Sequence, residues 1–377
     1  MRKSKALIAL LAALICLSSC GAKPETAETE AATTTKAAET TAKAETTEKA
    51  ETEATTTAPE TTEATTTTEA VVEVVEPAAE DFEYKYDAAI GGVKITKYKG
   101  KEKAIRIPET IEGDVVKEFA LDNKYVERVE IPESFTIIGE KAFSHCTELI
   151  EVTIPQSITD IGNNAFSECS KLTEVKIPDG VTFIGHFAFY DCGSLSEINI
   201  PEGVTGIGSD AFHDCTNLTQ INIPDGVTYI GTGVFTNCKS LKEINMPDGV
   251  AMMGDSVFSD CESLEKVTIP SGVTVIGSGM FRDCKSLTEV TLPEGITEIG
   301  GDVFMNCENL TSVNIPDSVT RISASFKNCP KLRSLTLPDG INDVYIPFKN
   351  CDALTVTYKG KEYTHADFDK LYKEIRS

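Results

Sequence analysis

The chain has 377 residues, of which 59 are Asp or Glu and 35 are Lys or Arg, so its formal net charge is −24 at pH 7. Such an excess of negative charge repels the phosphate backbone and argues against a nucleic-acid-binding function. Hydrophobic residues make up 41% of the chain, which is enough for a sizeable core.

The N-terminus has the pattern of a secretory signal peptide, which we assign to residues 1–19. Three basic residues stand within the first five positions, and an apolar run follows from 6 to 17. That run is too short for a bilayer span, which needs about 20 apolar residues. Residues 17–21, LSSCG, resemble the lipobox of bacterial lipoproteins. The resemblance implies cleavage before Cys20 and diacylglycerol attachment to its thiol; the alternative is an ordinary signal peptide in which Cys20 is incidental.

Residues 20–81 have the composition of a disordered linker behind the lipidated cysteine. Thr, Glu and Ala dominate this segment, with a few scattered lysines. It has too few apolar residues to form a core, and its acidic excess makes it self-repelling and extended. We therefore expect a spacer that lifts the folded part off the membrane.

The folded part is a tandem repeat with a period of 23 residues that shortens by one residue in the last two units. Each unit carries a Phe-x-x-Cys pair. The pairs are Phe143/Cys146, Phe166/Cys169, Phe189/Cys192, Phe212/Cys215, Phe235/Cys238, Phe258/Cys261, Phe281/Cys284, Phe304/Cys307, Phe326/Cys329 and Phe348/Cys351. A fixed period between about 20 and 50 residues is typical of a solenoid. We therefore predict a repeat solenoid of about ten units over residues 126–352.

The unit from 172 to 194, LTEVKIPDGVTFIGHFAFYDCGS, indicates how each coil folds. Val175 and Ile177 alternate with polar residues, as in a strand with one buried face. The turn sequence at 178–180, PDG, ends that strand, and a second short strand follows. Phe189 and Cys192 are three residues apart, so on a short helical turn they would share one face.

Atypical units flank the array, as expected where a stack must end against water. Residues 82–125 contain strand-like alternation and one imperfect repeat, and we interpret them as the N-terminal capping repeat. Residues 353–377 form the predicted C-terminal cap. Its amphipathic pattern from 365 to 375 predicts a capping helix.

The repeated pattern Leu-x-x-Val-x-Ile-Pro-x-x-Val-x-x-Ile-Gly-x-x-Ala-Phe-x-x-Cys resembles the BspA-type leucine-rich repeat family of bacterial surface lipoproteins. The resemblance covers roughly residues 82–377. It implies a right-handed, β-rich solenoid with a parallel sheet on one face and short helical turns. It also implies a surface role in adhesion or protein recognition, and it transfers no catalytic residues.

The repeat cysteines recur at one phase of the unit, so neighbours should stack at about 4.8 Å with parallel side chains. Disulfides need convergent Cβ atoms about 3.8 Å apart. We therefore favour buried free thiols acting as small apolar fillers. Pairwise disulfides or a metal site are the alternatives, although the sequence has no CxxC or Cys/His cluster.

Two outward columns are candidate binding surfaces, since packing does not dictate their residues. Phe183, Tyr229, Met252 and Val275 share one phase of the second strand and predict an exposed apolar, partner-binding patch. The alternative is that drift of the repeat placed them there and that they shield their neighbours. The second candidate face is a ladder of Asn199, Asn222 and Asn245 on the first strand. It suits glycans or peptide amides, and amide stacking within the sheet explains it equally well.

These patterns together predict a lipid-anchored, surface-displayed binding module that recognises extracellular proteins or glycoproteins of a host or neighbouring cell. A glycan- or nutrient-capture lipoprotein is the alternative. No serine, cysteine or histidine has a recognisable catalytic context, so we expect neither an enzyme nor a cofactor. We expect an exported monomer that contacts the membrane through its N-terminal lipid alone.

Overall fold

The computed structural model describes residues 73–345 and 348–377. The predicted signal peptide, Cys20 and the linker up to residue 72 lie outside these ranges. The strands are β1 (Phe82–Asp87), β2 (Gly92–Tyr98), β3 (Ala104–Arg106), β4 (Thr110–Ile111), β5 (Asp114–Phe119), β6 (Arg128–Glu130), β7 (Ile137–Ile138), β8 (Glu151–Thr153), β9 (Asp160–Ile161), β10 (Phe183–Ile184), β11 (Glu197–Asn199), β12 (Gly206–Ile207), β13 (Gln220–Asn222), β14 (Tyr229–Ile230), β15 (Met252–Met253), β16 (Lys266–Thr268), β17 (Val275–Ile276), β18 (Glu289–Thr291), β19 (Glu298–Ile299), β20 (Ser312–Val313), β21 (Arg321–Ile322), β22 (Ser334–Thr336), β23 (Asp343–Val344), β24 (Thr355–Tyr358) and β25 (Lys361–Tyr363). Two 3-10 helices, Ala79–Asp81 and His365–Asp367, precede β1 and the α-helix α1 (Phe368–Ile375), respectively.

The chain folds as the predicted β-solenoid, and equivalent residues of successive coils are paired in register. Ile184, Ile207 and Ile230 are 23 residues apart and form consecutive parallel pairs. Each regular coil contributes to two rows of parallel pairing, because the Pro-containing turn divides it into two short segments. The first-strand row includes β11–β13 and β16–β18–β20, and the second-strand row includes β9–β10–β12–β14–β15. The expected single sheet face is therefore accompanied by a second one.

The segment carrying Phe-x-x-Cys is a series of tight turns, so the prediction of short helical turns is wrong in detail. In the coil around Phe189, the N–H groups of Phe187, Phe189 and Asp191 donate to carbonyls of the next coil at 2.8–2.9 Å. A helix would use these groups within itself. Phe187 and Asp191 adopt positive φ angles of 56° and 54°, which turns the chain between the donors. Inter-coil hydrogen bonding has replaced helical hydrogen bonding here.

The core is a column of stacked side chains along the solenoid. The rings of Phe189 and Phe212 lie 5.4 Å apart with planes 1° from parallel, and similar pairs continue from Phe143 to Phe326. The repeat cysteines are buried and unpaired, as predicted. The nine thiols from Cys169 to Cys351 each donate to the carbonyl of a phenylalanine in an earlier coil; the distance from Cys192 Sγ to Phe166 O is 3.2 Å. One coil cannot bury these groups alone, so stability is shared between neighbours.

Val75, within the segment predicted as a linker, is paired with the first strand of the repeat array. The Val75 N–H donates to Ala104 O at 3.0 Å, and the Arg106 N–H donates to Val75 O at 2.8 Å. Val75 thereby covers the open edge of β3 as a parallel bridge. The reason is that the backbone groups of an edge strand need partners, which a sequence reading based on side-chain composition does not reveal.

The predicted C-terminal helix is present, at the end of the solenoid. Strand β24 continues the first-strand row beside β22, and β25 then pairs antiparallel with β24. Helix α1 buries Phe368, Leu371 and Ile375, the apolar positions from which the helix was predicted. In the described ranges α1 is eight residues long, and no helix there combines the length and apolar character that a membrane span needs.

Candidate functional site

The second-strand patch, which we define as Phe183, Tyr229, Met252 and Val275, lies on one row of the solenoid. Phe183 and Tyr229 each pair with Gly206 of the intervening strand β12, and Tyr229 pairs with Met252. Val275 occupies the same phase in β17, which begins the next set of paired strands. Met252 and Val275 are 40% and 44% exposed, and the two aromatic residues are half-buried. The structure thus brings the first three residues together across four strands.

Gly206 makes the aromatic part of this patch compact. A Cβ atom at Gly206 would lie 3.1 Å from Phe183 Cε2 and 3.5 Å from Tyr229 Cδ1. Any larger side chain would push the two rings apart, since 3.1 Å is closer than ordinary carbon contacts allow. Ile137 of β7 lies on the same row two coils before Phe183 and is 51% exposed, but Asp160 of β9 stands between them and interrupts the apolar row. Sequence reasoning missed Ile137, although it has the same repeat phase.

A second group of aromatic side chains lies on the turn face of the same coils. The Phe187 and Tyr190 ring centroids are 5.9 Å apart, and the Tyr190 and His213 centroids are 5.2 Å apart. Phe187 is 38% exposed and has a positive φ, a conformation that a bulky residue rarely adopts. The Phe183 and His186 rings, 6.3 Å apart, extend this cluster toward the second-strand patch.

The sequence contains a signal for this turn cluster, which lies in the departures from the repeat consensus. Residues at the phase of Tyr190 include Ser144, Ser167 and Ser259, which are small and buried. An aromatic side chain at that phase cannot occupy the same space and must project toward the surface. The presence of aromatic side chains at Tyr190 and His213, where other coils have serine, therefore indicates a surface cluster.

The turn cluster is acidic. The His213 Nδ1 lies 3.0 Å from Asp210 Oδ1, and its Nε2 lies 3.5 Å from Asp214 Oδ2. Burial, followed by the charges of Asp214 and Glu168, raises the pKa of Asp191. The pKa of Tyr190 is raised by burial and by four surrounding carboxylates, among them the same Asp214. A positively charged group of a partner would relieve this repulsion.

The asparagine ladder lines a shallow groove on the first-strand row. Asn199 and Asn222 are directly paired in β11 and β13, and Asn245 lies in the next coil. All three side chains are exposed. The groove has a volume of about 1040 Å³ and extends over five coils, with the exposed carboxylates of Glu197 and Glu243 beside the amides. Amides and carboxylates offer hydrogen bonds to extended, polar ligands.

The cysteine column has no exposed chemistry. Burial raises the pKa of the Cys146 thiol to about 12, and it raises the pKa of the thiols from Cys169 to Cys307 as well. A protonated, buried thiol is a poor nucleophile and a poor metal ligand. In the part of the chain that the structure describes, no cluster of three or more His, Cys, Asp or Glu side chains is arranged to hold a metal ion.

Comparison with known proteins shows which protein family the chain resembles. A family model described as a BspA-type leucine-rich repeat region of six copies matches residues 97–219, 205–333 and 309–366. A leucine-rich cell surface protein from Faecalibacterium prausnitzii is 30% identical over 77% of this chain and 95% of that chain, with a TM-score of 0.48. A leucine-rich repeat protein from T. pallidum is 30% identical over 63% of this chain and 91% of that chain, with a TM-score of 0.41.

The pneumococcal vaccine antigen PcpA shares the fold at lower identity. It is 20% identical, the alignment covers 76% of this chain and 82% of that chain, and the TM-score is 0.56. No curated protein sequence matches the chain. The matched repeats cover well over half of the chain, and the solenoid has the register that such repeats require. This chain belongs to the BspA-type leucine-rich repeat family.

Proposed function

We propose that this chain is a surface-displayed, lipid-anchored binding module that recognises a protein or glycoprotein of a host or neighbouring cell. The observation that carries the proposal is the second-strand patch. Phe183, Tyr229, Met252 and Val275 are partly exposed along a scaffold whose inward-facing columns are buried. Exposed apolar groups with a polar rim are typical of protein interfaces.

The surroundings of the patch favour a protein partner. Aromatic residues and methionine are enriched at protein interfaces, and this patch contains both. The turn cluster adds Phe187 and Tyr190 on the same coil as Phe183, within reach of one partner. Its carboxylates suit a partner with basic groups near an apolar segment. A rigid row of coils also presents these groups without an ordering cost.

Anchoring and display rest on the N-terminal sequence and on the relatives. Residues 17–21 resemble a lipobox, and the F. prausnitzii relative is described as a cell surface protein. Leucine-rich repeat solenoids in general serve as binding scaffolds, which supports a non-enzymatic role. A glycan- or nutrient-capture lipoprotein is the second candidate, favoured by the groove of Asn199, Asn222 and Asn245.

The decisive experiment couples partner capture to a double substitution. The full chain is immobilised and exposed to mucins, extracellular-matrix proteins and bacterial surface extracts, and bound proteins are quantified. Replacing both Tyr229 and Met252 by Ser should weaken capture of a specific protein about tenfold or more, because apolar anchors carry most interface energy. Glycan-array binding by the wild-type chain without capture of any protein would instead favour the second candidate.

A matched control removes two exposed apolar side chains elsewhere. Val115 and Ile150 are 46% and 37% exposed and lie outside the second-strand patch. Val115→Ser combined with Ile150→Ser should leave capture unchanged. If the Tyr229/Met252 variant keeps wild-type capture while circular dichroism shows an intact fold, the patch is not the binding surface.

A further inference from the structure

One segment of the N-terminal cap is basic, in contrast to the acidic chain as a whole. Residues 94–106, KITKYKGKEKAIR, contain six basic residues and one acidic residue, in a chain whose net charge is −24. Several of these basic side chains are neutralised by the next coil. Lys103 lies 2.5 Å from Glu127, and Arg106 is bonded to Glu130. The remaining positive charge is concentrated around Lys99 and its neighbours.

A cavity of about 600 Å³ opens at this point. Its lining includes Lys97, Lys99, Lys124, Asp122, Tyr125 and His145. Three lysines and one aspartate thus line the cavity, and the side chain of Tyr125 beside them is 49% exposed. The volume falls within the range of small-molecule sites, about 300–1,000 Å³. This cavity is therefore a basic, aromatic-edged pocket.

Two of the three lysines have no carboxylate partner in the described part of the chain. Lys97 Nζ lies 3.2 Å from Asp122 Oδ2 and is neutralised. Neither Lys99 nor Lys124 forms an ion pair with a described residue; the Lys124 ammonium lies 5.4 Å from the Tyr125 ring centroid. His145 is held by Glu168 at 2.8 Å and is directed to the following coil. Lys99 and Lys124 are the charges available to a ligand.

A buried amide fixes the floor of the cavity. Asn123 is 5% exposed and occupies the phase that cysteine holds in the regular coils. Its Nδ2 donates to the carbonyls of Tyr98 and Gly100 at 2.8 and 3.0 Å. Its Oδ1 accepts from the N–H groups of Tyr125 and Val126 at 2.7 and 3.0 Å. The backbone segments that carry Lys99, Lys124 and Tyr125 are therefore held in place before any ligand arrives.

We propose that this cavity binds an acidic saccharide unit through Lys99, Lys124 and Tyr125. The ammonium groups meet a sugar carboxylate or sulfate, and charge-assisted hydrogen bonds of this kind are about twice as strong as neutral ones. The exposed phenol ring provides an apolar face for the sugar ring and a hydroxyl for its polar groups. Elsewhere the acidic surface repels polyanions, so the cap is the place where an acidic glycan can be held. This site is separate from the protein-binding patch of the proposed function.

The test measures binding of the full chain to defined polysaccharides at about 50 mM salt, where exposed charges are weakly screened. Hyaluronan supplies carboxylates alone, dextran sulfate supplies sulfates alone, and neutral dextran supplies neither. We expect binding to at least one acidic polymer and none to neutral dextran. The double variant Lys99→Ala/Lys124→Ala should bind that polymer about tenfold or more weakly. The polymer that binds identifies which anionic group is recognised.

The control removes the same total charge elsewhere. Lys242 and Lys373 are exposed and form no ion pair with a described residue, so Lys242→Ala/Lys373→Ala should retain binding. An equal loss in this control, or no binding of either acidic polymer by the wild-type chain, overturns the proposal. Tyr125→Ala should weaken polysaccharide binding while leaving the thermal unfolding midpoint unchanged. If poly-glutamate binds as well and is insensitive to Tyr125→Ala, the site recognises acidic peptides and the saccharide assignment is wrong.

Discussion

The middle of the solenoid and its ends solve different packing problems. From Phe143 to Phe326 the aromatic rings stack with interplanar angles between 1° and 18°. At the N-terminal end, Phe119 meets Phe143 at 72°, and at the C-terminal end Phe348 meets Phe368 at 51°. Each middle ring has an identical neighbour on both sides, whereas a terminal ring must be covered by a different element. Parallel stacking of the rings is therefore confined to the middle of the solenoid, where each ring has the same neighbour on both sides.

The same contrast appears in the polar groups. In the middle, cysteine thiols donate to phenylalanine carbonyls and fill small apolar spaces. At the N-terminal end Asn123 takes the equivalent position and makes four hydrogen bonds to the backbone. An irregular cap has backbone groups that no neighbouring coil satisfies, so it needs a side chain with more donors and acceptors than a thiol provides.

The largest effect that we expect from this comparison is a loss of stability in alkali, caused by the buried thiols in the middle of the stack. Burial raises the pKa of Cys146 to about 12 from 9.0, and the pKa values of the next seven thiols in the column are also raised. The unfolded chain then loses these protons before the folded chain does. The free energy of unfolding should be insensitive to the thiols below about pH 8.5 and should fall between about pH 9 and 12, by about 1.4 kcal/mol per pH unit for each thiol.

Urea titrations followed by circular dichroism at several pH values provide the measurement. Replacing Cys215 and Cys261 by Ala should make the dependence on pH shallower by about 2.7 kcal/mol per pH unit, the share of two thiols. Comparing the variant with the intact protein at pH 7 gives the loss in free energy of unfolding that the cavities cause, because the thiols are protonated at that pH. An unchanged slope in the variant contradicts the assignment of alkaline unfolding to the thiols.

An intermediate effect separates an interior ring from a cap ring. Phe235 is fully buried between Phe212 and Phe258, with centroids 5.8 Å away on both sides. Phe235→Ala should reduce the free energy of unfolding by about 3–5 kcal/mol, the usual cost of emptying an aromatic core site. Phe368 covers the stack from one side only, so Phe368→Ala should cost about 2 kcal/mol.

Urea-induced unfolding at neutral pH measures both values. A loss below about 1 kcal/mol for Phe235→Ala would be incompatible with its burial in the ring column. Equal losses in the free energy of unfolding for the two variants would mean that packing at the C-terminal cap contributes as much stability as packing in the middle of the stack.

The smallest of these effects concerns the cap amide. Asn123→Cys extends the cysteine column by one coil but leaves backbone groups of the cap without their partners. We expect a loss of about 1–3 kcal/mol in the free energy of unfolding, the cost of unsatisfied buried polar groups. The converse change, Cys146→Asn, introduces an amide into the apolar column and serves as the control. A stabilised Asn123→Cys variant would show that the amide is dispensable.

The regular part of the fold was accessible from the sequence because one period fixes every coil. The phase of Phe189 and Cys192 predicted their burial, and alternation at Val175 and Ile177 predicted the inward face of the first strand. The helical turn was wrong, since a three-residue spacing also fits consecutive tight turns whose N–H groups bond to the next coil. Val75 escaped prediction because its role is a pair of backbone hydrogen bonds.

The candidate surfaces were predictable in part for the same reason. Repeat phase placed Phe183, Tyr229 and Met252 on one row, and the register confirms that placement; their role in binding remains a prediction. The turn cluster around Tyr190 and the basic cavity around Lys99 depend on contacts between residues of different phases and on irregular cap geometry. Periodicity carries no information about such contacts.

The hydrogen-bond register between coils has an evolutionary consequence. In the described ranges each regular coil is paired with the units 22 or 23 residues before and after it, so the contacts between coils are interchangeable. In-frame duplication or loss of one unit would change the reach of the molecule by about 4.8 Å, the spacing of adjacent strands, and leave both caps intact. A gene for such a chain can lengthen or shorten its product in fixed steps, and the distance between the two ends becomes an inheritable variable.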